Sequence, residues 1–216
     1  MTPPSPSMLL VGGTGAVGKR VISHTLLEQT YEALITLGRR ESNTSDPRHA
    51  HHVVDFEQIE LHQSIIDARD VVCTLGTTIK KAGSRERFEA IDHGYPLRIA
   101  KLAKANGVER FVLVTSLGAD ARASNHYLRT KGRLEDDVIA LGFESVVILR
   151  PSLLIGEREE RRLGEEAGKI ANRLFSKLIP RRYRGIDVDV IAQRIAQVGR
   201  EAPKGVVIYE SEQIPC

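Results

Sequence analysis

Cysteine is scarce in this 216-residue chain, long apolar runs are absent, and neither sign of charge dominates. The two cysteines, Cys73 and Cys216, have no partner at the spacing of a disulfide framework, a redox motif or a metal site. A disulfide-stapled scaffold is thereby excluded, and a reducing, cytoplasmic location is expected. No stretch approaches the ~18 consecutive apolar residues of a membrane span. The opening MTPPSPS has neither a basic n-region nor an apolar h-region, so residues 1–7 are expected to form a disordered lead rather than a secretory signal. Lysines and arginines number 31 against 28 acids, and the two signs are interleaved, which excludes a nucleic-acid footprint and leaves small anionic ligands open.

What is present is a rhythm. With 41% hydrophobic and 27% charged residues, the chain has the composition of one globular domain with a sizeable core, taken here as residues 1–216. Short β-like runs recur from Met8 onward: MLLVGG, ALITLG, HHVVDF, DVVCTLG, RFVLVTS, SVVILRP and GVVIYES. Segments of helical period lie between them, at Val17–Gln29, Phe88–Ala105 and Arg129–Leu141. This alternation predicts an α/β fold, a doubly wound parallel sheet of about seven strands with helices on both faces. Residues 157–184 are rich in charge and break the rhythm, predicting a helical excursion on the substrate side. The IDVDVIAQRIAQV segment that follows predicts a helix packed through Ile186, Val190, Ile191 and Ile195.

Gly12, Gly15 and Gly18 follow the first strand directly and open the first helix. In that context they serve a tight turn, a close approach of backbone to a pyrophosphate, and helix–strand packing, while free amides at the helix start favour the anion. Gly12, Thr14, Gly15, Ala16, Val17 and Gly18 are therefore the expected dinucleotide loop. At the end of the second strand TLGRR lacks the carboxylate that would accept from a ribose 2′-hydroxyl. Arg39, and next to it Arg40, can instead pair with a 2′-phosphate, which predicts NADP (NADPH) over NAD.

Tyr127 and Lys131 are four apart in a helical segment and share a face. A neighbouring ammonium favours the phenolate and suits tyrosine to acid–base work. Ser116 stands at the end of the fifth strand, where open α/β sheets place ligand groups. In this reading Ser116 hydrogen-bonds a substrate oxygen and Tyr127 moves its proton. His49, His51 and His52 lack a convergent acid or cysteine and read as a solvated loop entering a strand, not a metal site.

Together GGTGAVG, CTLGTT, VTSLGADARASNHYLRTKG and LRPSLLIGEREERRLGE resemble the Tat-interacting-protein branch of the atypical short-chain dehydrogenases, related to the NmrA-like proteins. The resemblance implies an NADP-binding domain, monomeric or homodimeric, with Ser116, Tyr127 and Lys131 as its catalytic set and no particular substrate; hydride transfer between NADP(H) and an unidentified small carbonyl or alcohol is the expected reaction. It further implies that Asp55 and Phe56 border the adenine, and that Leu75, Gly76 and Thr77 lie beside the adenine ribose and phosphates. Lys131 would bind the nicotinamide ribose, and Pro151 would lie against the carboxamide. The family's supporting asparagine has no counterpart; AIDHGYP offers Asp92 and His93 instead. The NmrA-like kinship implies an alternative, an NADP(H)-sensing protein that regulates a partner with little or no turnover.

Overall fold

The computed structural model of the protein describes residues 6–42, 45–156 and 180–215. Seven parallel strands form one sheet: β1 (Ser7–Val11), β2 (Ala33–Gly38), β3 (His49–Val53), β4 (Asp70–Cys73), β5 (Arg110–Val114), β6 (Ser145–Arg150) and β9 (Gly205–Glu210). Their spatial order is β3-β2-β1-β4-β5-β6-β9. Every expected apolar run supplies a strand. A separate two-stranded parallel ribbon joins β7 (Leu154–Ile155) to β8 (Ile186–Asp187).

Strand periodicity divides the core. Leu9, Val11, Val71, Cys73, Phe111 and Leu113 face one side, with α4 (Tyr95–Ala105) and α5 (His126–Ala140). Met8, Leu10, Val72, Val112 and Val114 face the other, with α1 (Ala16–Glu28) and α6 (Val188–Glu201). Both faces are covered, so beyond Ser7, which opens β1, and the Asp70–Arg110 pair that opens β4 and β5, these strands are continuously apolar rather than alternating with polar residues. Each fully buried Leu or Phe contributes on the order of 1.5–3 kcal/mol of transfer free energy. This is the doubly wound Rossmann-type arrangement.

The helix before β5 is not uniform. Short helices α2 (Ile79–Ala82) and α3 (Arg85–Glu89) lead to a π turn over Ala90–Gly94, closed by the Tyr95 amide on the Ala90 carbonyl, and α4 continues from it. The wider turn carries a buried Asp92 toward the sheet's C-terminal edge. In α6, Ile191 and Ile195 are buried as their spacing predicts, and Ile186 is buried in β8. The expected lead lies outside the described residues except Pro6 and Ser7, and Ser7 already opens β1. Of the expected excursion, 157–179 lies outside the described residues. Among the described residues no helix is long and apolar enough to cross a membrane.

Candidate functional site

The chain reverses strand order between β1 and β4, and this switch point is where open α/β sheets receive ligands. The glycine turn fills one side of it. Gly12 has φ +92° and is packed against the end of β4, where an added Cβ would lie 2.7 Å from Thr74 Oγ1. At Gly18 a Cβ would meet the Gly12 carbonyl oxygen at 2.2 Å, so the turn folds onto α1 only with glycine there. Gly15 is the N-cap of α1 and supplies no capping side chain, and the first turn carries no acid. The leading amides of α1, over Ala16, Val17 and Gly18, therefore lack intrahelical partners and present the positive end of the helix. A glycine-lined, uncapped helix start fits a dinucleotide's pyrophosphate.

Arg39 and Arg40 leave the end of β2 as exposed residues. The histidines beside them correct the sequence reading: His49 to His52 lie within β3, not in a loop, and His49 is buried. Thr36 Oγ1 sits between His49 Nε2 at 2.9 Å and His51 Nδ1 at 2.8 Å. Burial and the nearby His51 hold the His49 pKa below the ordinary imidazole value. Among the described residues no three His, Cys, Asp or Glu side chains converge for a metal. Asp55 caps the 3-10 segment Phe56–Ile65, accepting from the Glu57 amide at 2.9 Å. Phe56 turns inward, 5% exposed and stacked on Tyr95, so its ring is a core element rather than an open surface.

The centre of the site joins β4, the π turn and α5. Lys131 Nζ lies 2.6 Å from Asp92 Oδ1, both side chains being buried. The other carboxylate oxygen of Asp92 accepts from the Thr77 amide at 2.8 Å. Leu75–Gly76–Thr77 passes so close that a Cβ on Gly76 would sit 3.4 Å from both Asp92 Oδ1 and Lys131 Nζ. Desolvation raises the Asp92 pKa above the usual carboxylate value, and the Lys131 ammonium opposes it. Cys73, fully buried beneath, has its thiol pushed up to about 11 by the same desolvation and stays neutral.

Tyr127 is the second residue of α5, whose N-cap Asn125 accepts from the Leu128 amide. Its ring rests against buried Phe88 of α3, centroids 5.6 Å apart. Ser116 follows β5 and opens a tight turn in which the Ala119 amide donates to the Ser116 carbonyl, with Gly118 at φ +79°. The Leu117 amide donates to the Pro151 carbonyl at 2.8 Å, tying the serine turn to the segment after β6. Gly132 lets the loop between Ser116 and Tyr127 lie on α5: a Cβ there would meet Ala121 N and Asp120 C at 2.2 Å.

Below this edge Glu135, 2% exposed, accepts from Thr115 Oγ1 at 2.5 Å and pairs with the guanidinium of Arg150. Arg150 also donates to Glu210 of β9, and these bonds raise its pKa further. Sequence reading missed Phe88, Glu135 and the ion pair of Asp92. Glu135 was signalled by its spacing, four after Lys131 on the same helix face. Nothing local announces Phe88.

The profile of a family described as NAD(P)H-binding matches residues 12–182. Protein FMP52, mitochondrial, of Candida albicans is 38% identical over 159 residues, covering 71% of this chain and 69% of that protein. Protein HTATIP2 of Rattus norvegicus is 34% identical over 176 residues, covering 80% and 71%. A solved short-chain dehydrogenase/reductase superfamily protein from Agrobacterium tumefaciens, with NAD bound, shares the fold at TM-score 0.70 and 18% identity, covering 94% of this chain and 76% of that one. The Candida name overturns the cytoplasmic expectation. A sequence with only two cysteines, at no disulfide spacing, argues against a disulfide scaffold but does not separate one reducing compartment from another.

Proposed function

The chain belongs to the NAD(P)H-binding family of atypical, NmrA-related short-chain dehydrogenases, and on that premise we propose that it is an NADP-dependent oxidoreductase acting on a small carbonyl or alcohol. The observation that carries the reading is the meeting of Lys131, Asp92 and the Gly76 turn at the switch point, with Tyr127 one helical turn before Lys131. A protein that only senses the nucleotide has no need of Ser116 and Tyr127, which in this reading serve the substrate oxygen.

The bound cofactor supplies or takes up the hydride. The amides of Ala16, Val17 and Gly18 hold its pyrophosphate, Leu75, Gly76 and Thr77 give it a close backbone wall, and Arg39 with Arg40 receive the 2′-phosphate. Lys131 hydrogen-bonds the nicotinamide ribose and keeps positive charge near Tyr127. Ser116 donates to the substrate oxygen; Tyr127 gives that oxygen a proton during reduction and removes one during oxidation. The Pro151 segment, bonded to the serine turn, sets the nicotinamide end. Asp92 takes the place of the missing asparagine, fixing Lys131 directly through charge.

A mitochondrial location, the one printed in the Candida relative's name, is part of the proposal. The test is NADPH consumption across a panel of small aldehydes and ketones, with NADPH and NADH affinities measured by calorimetry. Turnover with a panel member supports the reading. Tight NADPH binding with no turnover across the panel favours the sensing alternative.

A further inference from the structure

The histidines of β3 are not absorbed by the chemistry above, yet they are built into the end of β2 that carries Arg39 and Arg40. His51 pairs in register with Thr36, and its Nε2 lies 2.9 Å from the Arg40 carbonyl oxygen. A carbonyl only accepts, so Nε2 carries the proton. With both rings neutral, one proton order satisfies every partner: His49 Nε2–H donates to Thr36 Oγ1, the Thr36 hydroxyl donates to His51 Nδ1, and His51 Nε2–H donates to Arg40. Thr36 and His49 are buried, at 2% and 8% exposed, so the first links of the relay are shielded from water. The His51 ring also lies against Gly38, where a Cβ would come within 2.9 Å of its Cε1.

We infer that His51 is a positioning residue for cofactor choice: through Thr36 and His49 it locks the Arg40 backbone, and with it the turn that offers two guanidiniums to a 2′-phosphate. The same histidine borders the hollow between the glycine turn and β2, with Gly13, Thr14, Thr36 and Ser42 around it. A strand end with two free arginines would meet a phosphate at the cost of ordering its own backbone. Here a side chain from the neighbouring strand has ordered that backbone beforehand, so the gain falls on the phosphate-bearing cofactor alone. This inference rests on the NADP reading.

The experiment is calorimetric titration of the full chain with NADPH and with NADH, which needs no substrate. His51→Phe keeps bulk and removes both ring nitrogens. It is expected to raise the NADPH Kd about tenfold, one hydrogen bond's worth, and to leave the NADH Kd within about twofold. His51→Gln retains an N–H donor of similar reach and is expected to recover most of the NADPH affinity. Thr36→Val, which spares β3 should His51→Phe fail to fold, is expected to raise the NADPH Kd about threefold, again without moving NADH. Equal weakening of both cofactors, or no change in any variant while the double variant Arg39→Ala/Arg40→Ala loses NADPH selectively, overturns the inference and leaves the phosphate reading standing. If the wild-type chain binds both cofactors alike, or the double arginine variant changes nothing, the NADP reading falls first.

Discussion

Asp92 and Lys131 face each other at 2.6 Å with side chains 0% and 4% exposed, and the carboxylate simultaneously accepts from the Thr77 amide. One residue of a π turn thus joins the segment after β4 to the helix that carries the tyrosine. Removing one member of such a pair strands the other charge in low dielectric. Asp92→Ala is expected to cost about 3–5 kcal/mol of folding stability, and the double variant Asp92→Ala/Lys131→Met clearly less than the sum of the singles. Urea unfolding of the four proteins measures the coupling; strict additivity would dissolve the pair as an energetic unit.

Gly132 lies where α5 touches the loop between the serine and the tyrosine, with 2.2 Å between its would-be Cβ and two backbone atoms. Gly132→Ala raises helix propensity yet forces loop and helix apart. A net loss of about 1–3 kcal/mol is expected, together with weakened turnover at unchanged NADPH affinity. A variant as stable as the parent would mean the loop yields freely.

The acid side of the stability curve carries a signature of the β2–β3 relay. Burial and His51 depress the pKa of His49, with Asp46 acting weakly in the opposite sense. A depressed folded-state value means that the unfolded chain binds the proton first. His49 therefore contributes stability that is present above its unfolded value of about 6.5 and is lost as pH falls from there through the folded value. His49→Gln should flatten the decline in melting temperature below about pH 6.5. An unaltered decline would assign it to other groups.

Much of this was readable from residues alone, because the signals were local. Three glycines after a β run announce their turn, and the central strands β1, β4, β5 and β6 stand out because burial on both faces leaves their middles with no polar alternation to confuse the pattern. What escaped reading depends on contacts distant in sequence. Asp92 meets Lys131 across 39 positions because a π turn widens the helix under it, and nothing in AIDHGYP marks that turn. The β3 histidines looked solvated since their polarity suits a loop, whereas Thr36 supplies hydrogen bonds that make a buried imidazole tolerable. The inward turn of the Phe56 ring was equally illegible, because its stacking partner Tyr95 lies far along the chain.

The most direct test of the account is Tyr127→Phe, which removes one oxygen and keeps the ring against Phe88. NADPH affinity is measured by calorimetry, and NADPH oxidation with a carbonyl that the parent protein reduces, on the same preparations. The account predicts an NADPH Kd within about twofold of the parent and a rate lowered at least about 100-fold. A rate close to the parent's would contradict it.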